Sequence, residues 1–313
     1  MTKKINWTDT FLKDNTSFKN IIASGYINFL FGAGVNGSSF PNFRSGFNET
    51  KDILKESGKN GENIENELSD LDESNYDKAT AVLVNEYNKH SLSIDLESEP
   101  IINLKNLLNS VYILIDKAEN RQPYMKKINI FTLNYDRIVE NVLDESGYLF
   151  RSITSDKLHR ISTYDTIGYD TSAKKFIPAF AISKLHGSVN ANNKLVERDI
   201  ILPSRNKLRQ ALSNSFFSTL FKMKSELEKR NAVLFIIGYS GADDDINNVL
   251  RDSISKGLTV YWLKYSDSDD GMENLKLNMN KIWRGKIDPT KVNGAFQDST
   301  KTLCDILNKV RTL

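Results

Sequence analysis

The sequence predicts an α/β protein built on a Rossmann-like, doubly wound parallel sheet, and two observations carry that prediction. Five short apolar runs of strand length occur, Tyr26–Phe31, Ile128–Thr132, Ala181–Leu185, Ala232–Ile237 and Leu258–Leu263, each flanked by turn residues. Their nearly unbroken apolar character is that of parallel strands covered on both faces. Helical patterns separate most of the runs, and that alternation is the signature of crossover connections in a parallel sheet. At 313 residues with 39% apolar side chains, the chain is long enough to bury a substantial core.

Along the chain, the first run stops at Phe31 and opens into Gly32-x-Gly34-x-x-Gly37. Glycines at this spacing after a strand allow a tight turn whose backbone can approach a pyrophosphate. The redox version of the motif continues with a crossover helix, a second strand and an acidic residue about 20 positions on. Here SSFPNFRSGFNETKDILKESG follows, and Pro41 stands where that helix should be under way. A hydride-transfer domain is therefore disfavoured. Residues 45–127 read as a helical insertion holding an acidic stretch, 61–77, expected as a solvated face or loop, and an amphipathic stretch, 101–119. Residues 151–180 are polar and are expected to cover the sheet edge. An amphipathic helix is expected within 206–230, and a closing helix within 296–313. The chain then reads as one domain, 1–313, carrying that insertion and that cover.

Three further strand ends could carry chemistry. The second run leads into Thr132-Leu133-Asn134-Tyr135-Asp136 ahead of a helical pattern. One of Asn134 and Asp136 is expected to cap that helix. Both also sit where open α/β sheets bind ligands, an Asn suited to sugar hydroxyls or a water and an Asp to an amide or a cation. The third run ends in His186-Gly187-Ser188, and of the three histidines (His90, His159, His186) only this one ends a strand ahead of a glycine. It becomes a candidate base if it shares a crevice with Asn134. The fourth run ends in Gly238-Tyr239-Ser240-Gly241, a second glycine platform, followed by Asp243, Asp244 and Asp245. Capping and dipole compensation account for these aspartates more cheaply than a metal, although one of them can still reach a ribose.

Composition narrows the classes further. A net charge of +2 gives no reason to expect direct nucleic-acid binding or attraction to an anionic membrane. The amino-terminal MTKKINWTDTFLKDN lacks the apolar core of a signal peptide, and no run of about 18 apolar residues occurs, so a cytoplasmic location is expected. The single cysteine, Cys304, can form neither an intramolecular disulfide nor a multi-cysteine zinc site, and is expected as a buried structural thiol.

Together, the motifs resemble the sirtuin family, in particular its zinc-free bacterial branch of effector domains. Gly32-Ala33-Gly34 resembles that family's nucleotide loop, with Asn36 where serine is frequent. Pro41-Asn42-Phe43-Arg44 resembles its P-D-F-R segment, with Asn42 in place of the aspartate. Thr132–Asp136 matches T-x-N-x-D, His186-Gly187 the H-G pair, and Gly238-Tyr239-Ser240 the later G-x-S. The four-cysteine zinc module of the protein-deacylating members is missing, which puts their acyl-peptide cleft in doubt.

The resemblance implies NAD⁺ as a consumed substrate, with no other cofactor and no metal. Catalytic roles then fall on Asn134, His186 and Asp136. Nucleotide contacts fall on Gly32, Ala33, Gly34, Asn36, Phe43, Arg44, Thr132, Gly238, Ser240 and Asp243. With water replacing the acyl oxygen as nucleophile, the expected activity is NAD⁺ glycohydrolysis, with a cyclase as a variant. The alternatives are an NAD⁺- or ADP-ribose-sensing module and a protein deacylase. The resemblance further implies a toxic effector of anti-phage abortive infection. Such an enzyme must be held silent, so activation by homo-oligomerisation or by a separately encoded sensor protein is expected.

Overall fold

The computed structural model describes residues 12–13, 17–43, 46–118, 121–122, 125–148, 150–153, 179–190, 192–196, 200–201, 216–263, 286–287 and 299–312. Among these, seven strands form one sheet: β1 Tyr26–Phe31, β2 Ile128–Thr132, β3 Phe150–Ile153, β4 Phe180–Lys184, β5 Ala232–Ile237, β6 Thr259–Leu263 and β7 Lys286–Ile287. Their order is β3-β4-β2-β1-β5-β6-β7, and every pairing is parallel. The chain builds leftward from β1 through β2, then returns past it to add β5 and β6. That reversal beside β1 makes the sheet doubly wound and opens a crevice at the carboxyl ends of the central strands.

The five expected runs appear as strands, two with shifted bounds. The third starts at Phe180 and ends at Lys184, and the fifth starts at Thr259. The edge strands β3 and β7 were not anticipated. β3 opens the segment expected as a cover, so the start of that segment extends the sheet edge by pairing with β4. The remainder of that segment, 154–178, lies outside the described residues.

The described helices are α1 Phe18–Ser24, α2 Asn48–Glu56, α3 Ile64–Ser69, α4 Glu73–Ser91, α5 Glu99–Asp116, α6 Ile138–Glu145, α7 Phe216–Leu227, α8 Asp244–Ser255 and α9 Ser299–Thr312. A 3₁₀ helix, Ala33–Ser39, follows β1. The sheet buries both faces. Phe29, Phe31, Phe235 and Tyr261 join the side shared with α1, α4–α6 and α9. Leu30, Leu234, Ile236 and Trp262 join Met223 and Leu227 of α7 and Ile246 and Leu250 of α8 on the other.

Two capping arrangements turn the acidic stretch into helix. Asn63 and Asp72 cap α3 and α4, each accepting from an amide three residues on. Glu67 gathers the amides of Gly61, Glu62 and Asn63 at 2.7–3.1 Å. Glu86 of α4 acts similarly at a distance, accepting from the Glu49 and Thr50 amides that open α2 (3.1 and 3.0 Å). Cys304 is buried as expected, 3.3 Å from the Ser110 hydroxyl of α5, and burial pushes its thiol pKa up.

Candidate active site

Four contiguous strands, β4-β2-β1-β5, deliver the four motifs to one end of the sheet. Gly32 follows β1, Asn134 follows β2, His186 follows β4 and Gly238 follows β5. The ladder continues past the strand ends: Gly32 N donates to Ile237 O (3.0 Å), Leu133 N to Phe31 O (3.0 Å) and Leu185 N to Thr132 O (2.8 Å). The motif turns are therefore fixed relative to one another by backbone hydrogen bonds.

The glycine turns interlock. A Cβ on Gly32 would lie 2.4 Å from Gly238 O, and one on Gly34 2.8 Å from the Gly238 Cα. Gly238 sits at φ +69°, and its own Cβ would meet Val35 N at 2.2 Å. Gly34 N donates to Gly238 O at 3.1 Å and Val35 N to Gly32 O at 3.1 Å. The glycines at 32, 34 and 238 thus let two turns pack backbone to backbone, and the amides of Gly32, Gly34 and Val35 are spent inside that packing. Ala33 and Gly34 present an exposed floor, and Ser240 is also exposed.

Asn134 is half-buried. Its backbone N–H donates to Thr132 Oγ1 at 3.1 Å, and its side-chain Nδ2 donates to Gly32 O at 3.2 Å. Asp136 is 2% exposed. Its Oδ1 accepts from Ile138 N (3.0 Å), so it is the residue that serves the start of α6, while its Oδ2 accepts from Asn36 Nδ2 at 2.8 Å. Burial raises the Asp136 carboxyl above the usual carboxylate range, against the charge of Lys184 and these two hydrogen bonds. Asn36 is itself 2% exposed, and its Oδ1 has no hydrogen-bond partner among the described residues. A buried carbonyl oxygen left unsatisfied beside a desolvated acid is a costly arrangement.

His186 is partly buried, and its Nε2 lies 3.1 Å from Asp243 Oδ2. Asp243 Oδ1 simultaneously caps α8, accepting from the amides of Asp245 and Ile246, both at 3.1 Å. The capping role expected for this acidic run falls on Asp243. The pair spans the sheet: β4 and β5 are separated by β2 and β1, about 14 Å at ordinary strand spacing. The loops therefore arch over the central strand ends. Tyr239 holds the arch in place, stacked 5.7 Å from Trp262 with its hydroxyl donating to Asn247 Oδ1 (2.9 Å).

Phe43 lies 5.1 Å from Phe47 and 6.5 Å from Tyr135, in an aromatic cluster with Tyr87 of α4. The Tyr135 hydroxyl donates to Ile201 O (2.8 Å). Asn88 of α4 donates to Leu195 O (3.3 Å) and accepts from Leu195 N (2.5 Å). The helical insertion thus grips both the Asn134–Asp136 turn and the chain after His186. Arg44 lies outside the described residues.

One pair in the site escaped the sequence reading. Lys184, the last residue of β4, is fully buried and pairs with Glu140 of α6 at 3.2 Å. Its Nζ also donates to Asp136 O and, at 3.4 Å, to Asn134 O. The available signal was a lone lysine in an apolar strand two residues before the histidine. Among the described residues no cluster of three or more His, Cys, Asp or Glu could hold a metal ion, and no helix is long and apolar enough to cross a membrane.

Residues 128–283 match the family model of the SIR2-like domain. No curated protein matches the chain. Among solved structures, a complex of a Sir2 homologue with NAD is 13% identical, with 95% of this chain and 94% of that one covered, at TM-score 0.50. A structure from work on the mechanism and regulation of Sir2 enzymes is 12% identical, covering 99% and 98%, at TM-score 0.47. A mutant Sir2 homologue bound to 2′-O-acetyl ADP-ribose is 13% identical, covering 95% and 96%, at TM-score 0.49. Residues 128–283 are thus similar to the SIR2-like domain, and the parallel, helix-flanked sheet is the Sir2 Rossmann-like fold. The glycine turn at residues 32–37 lies ahead of the matched segment and stands on its own geometry.

Proposed function

We propose that this chain is an NAD⁺ glycohydrolase, a single sirtuin-like domain that cleaves NAD⁺ to nicotinamide and ADP-ribose. The observation that carries the reading is the convergence of Asn134, Asp136 and His186 with two interlocked glycine turns at one end of four adjacent strands. The Sir2 homologue of similar fold holds NAD, which supports the choice of dinucleotide.

In this reading the adenosine diphosphate end lies over the exposed floor at Ala33 and Gly34, towards Gly238 and Ser240, with Phe43 at its border, while the buried Thr132 acts through the Asn134 turn it holds. The paired Asn36 and Asp136 suit a carboxamide. The unsatisfied Asn36 Oδ1 can accept from an amide N–H, and the desolvated Asp136 carboxyl from another. Nicotinamide leaves with the electron pair of its bond to C1′, so the pyridinium becomes neutral and positive charge moves to the ribose. Asn134 holds the ribose or the attacking water, and His186 takes the proton that water loses as its oxygen bonds to C1′. Asp243 orients the imidazole and balances the charge it gains. The balance is NAD⁺ plus water giving nicotinamide, ADP-ribose and a proton.

The grip of α4 on Leu195 and of Tyr135 on Ile201 ties down the chain beside His186, which favours water over an acyl-peptide as nucleophile. The wider reading is a cytoplasmic effector of abortive infection against phage, silent until it assembles with itself or with a separately encoded sensor. Incubating the purified protein with NAD⁺ over a concentration series and resolving the products tests the proposal. Nicotinamide and ADP-ribose in equal amounts support it. Bound but intact NAD⁺ identifies a sensing module, and a cyclic product the cyclase variant.

A further inference from the structure

We infer that Lys184, neutralised by Glu140, is a positioning residue that sets the Asn134–Asp136 turn from beneath. This inference rests on the reading that those two side chains face NAD⁺. Three oxygens surround the ammonium: Glu140 Oε2, an ion-pair partner at 3.2 Å, and two hydrogen-bond acceptors, Asn134 O at 3.4 Å and Asp136 O. Two of the three are carbonyls of the turn that carries the candidate chemistry. Holding both carbonyls fixes the peptide planes after Asn134 and Asp136, and with them the direction in which each side chain leaves the backbone. Lys184 ends the same strand that delivers His186 two residues later, so one strand end carries the base and sets its partners.

Stability alone is a poor reason for this arrangement. A fully buried Lys–Glu pair gives up two hydration shells, and apolar side chains of similar volume serve a core at least as well. The charge pairing suits the chemistry instead. Departure of nicotinamide builds positive charge on the ribose, and a bare lysine beneath the turn would oppose it. Glu140 cancels that charge as an ion-pair partner while leaving the two hydrogen bonds to the turn in place. The groups facing Asp136 from the elements around it are Asn36 of the 3₁₀ helix, the Ile138 amide and Glu140 of α6, Lys184 of β4 and Tyr87 of α4.

The test is the double variant Lys184→Met/Glu140→Leu, which keeps the volume and removes the pair. Two measurements are made on it: NAD⁺ turnover, and titration of the Asp136 carboxyl by ¹³C NMR. The expected result is a folded protein with kcat down at least about tenfold, KM within about threefold, and Asp136 titrating at higher pH because the nearer lysine charge is gone. Wild-type turnover together with an unmoved Asp136 titration overturns the inference and leaves the glycohydrolase reading intact. Should the wild type leave NAD⁺ untouched, that reading fails separately, and the Asp136 titration alone decides: moved supports the positioning role, unmoved overturns it. If the double variant does not fold, Glu140→Gln takes its place. Its Asp136 titration is expected to move to lower pH, and an unmoved titration overturns the inference.

Discussion

Two buried polar clusters lie in the same sheet, and they are built to opposite standards. Towards the amino-terminal ends of β1 and β2, Asn28 and Asn129 stand in register across the strands. Asn129 Nδ2 donates to Asn28 Oδ1 (2.8 Å) and Glu226 Oε2 (3.1 Å), while Asn28 Nδ2 donates to the carbonyls of Tyr26 and Val233. Glu226 is flanked by Lys127 at 3.0 Å and Lys229 at 2.6 Å. Burial alone would raise the Glu226 carboxyl, but these two lysines outweigh it and hold the carboxyl below its ordinary range. At the other end of the same strands, burial wins over Lys184 and leaves Asp136 raised, with Asn36 Oδ1 unsatisfied beside it. Each cluster keeps one unsatisfied buried amide oxygen among the described residues, Asn129 Oδ1 and Asn36 Oδ1, so the difference lies in the carboxyls: two lysines hold Glu226 low, while burial leaves Asp136 raised at the end of the sheet where the crevice opens.

Substitutions at the carboxyl end should strike activity and spare stability. Asn134→Ala and His186→Ala are each expected to lower NAD⁺ cleavage by about 10²- to 10⁴-fold with an unchanged melting temperature, since Asn134 gives up a single hydrogen bond to Gly32 O. A His186→Ala protein that retains full turnover would remove that residue from the mechanism. The opposite pattern is expected at the amino end. Glu226→Ala strands Lys127, Lys229 and Asn129 and should cost about 2–3 kcal/mol in denaturant unfolding, with turnover per folded molecule unchanged.

The two carboxyls should also give opposite pH slopes. Asp136 is raised from 3.8, so the folded state holds its proton longer, and stability declines as pH rises from 3.8 through the folded-state value. Glu226 is lowered from 4.5, so its contribution is present above 4.5 and is lost as pH falls through the lower folded-state value. Unfolding of Asp136→Asn and Glu226→Gln against wild type across this acid range reads both slopes. Parallel curves would erase the distinction between the clusters. Among the substitutions at the carboxyl end, the smallest effect on turnover is expected for Asp243→Asn. Asparagine caps helices as well as aspartate, so stability should stay within about 0.5 kcal/mol, while turnover falls about tenfold without the carboxylate at His186.

Much of this was legible in the sequence because the central strands are buried on both faces and read as plain apolar runs. β3, FRSI, and β7, KI, are short edge strands whose polar residues give no such run. The four strand ends that form the site each announce themselves by a glycine or by Asn134 and Asp136, so their convergence followed from the strand order. The roles within the site were less legible. Gly32 and Gly34 read as a phosphate cradle and Gly238 as part of a second glycine platform, yet all three also answer a contact between two turns that no linear pattern encodes. Lys184 and Glu140 lie 44 positions apart on a strand and a helix, and only the fold brings them together. The pairing of His186 with Asp243 was hidden in the same way, since Asp243 reads adequately as a cap.

The central claim is that the carboxyl end of this sheet consumes NAD⁺. The direct measurement is mass-spectrometric product analysis of NAD⁺ incubated with wild type, Asn134→Ala and His186→Ala across a protein concentration series. The account predicts equimolar nicotinamide and ADP-ribose from the wild type and their loss in both variants. NAD⁺ that binds the wild type yet stays intact at every concentration would contradict it.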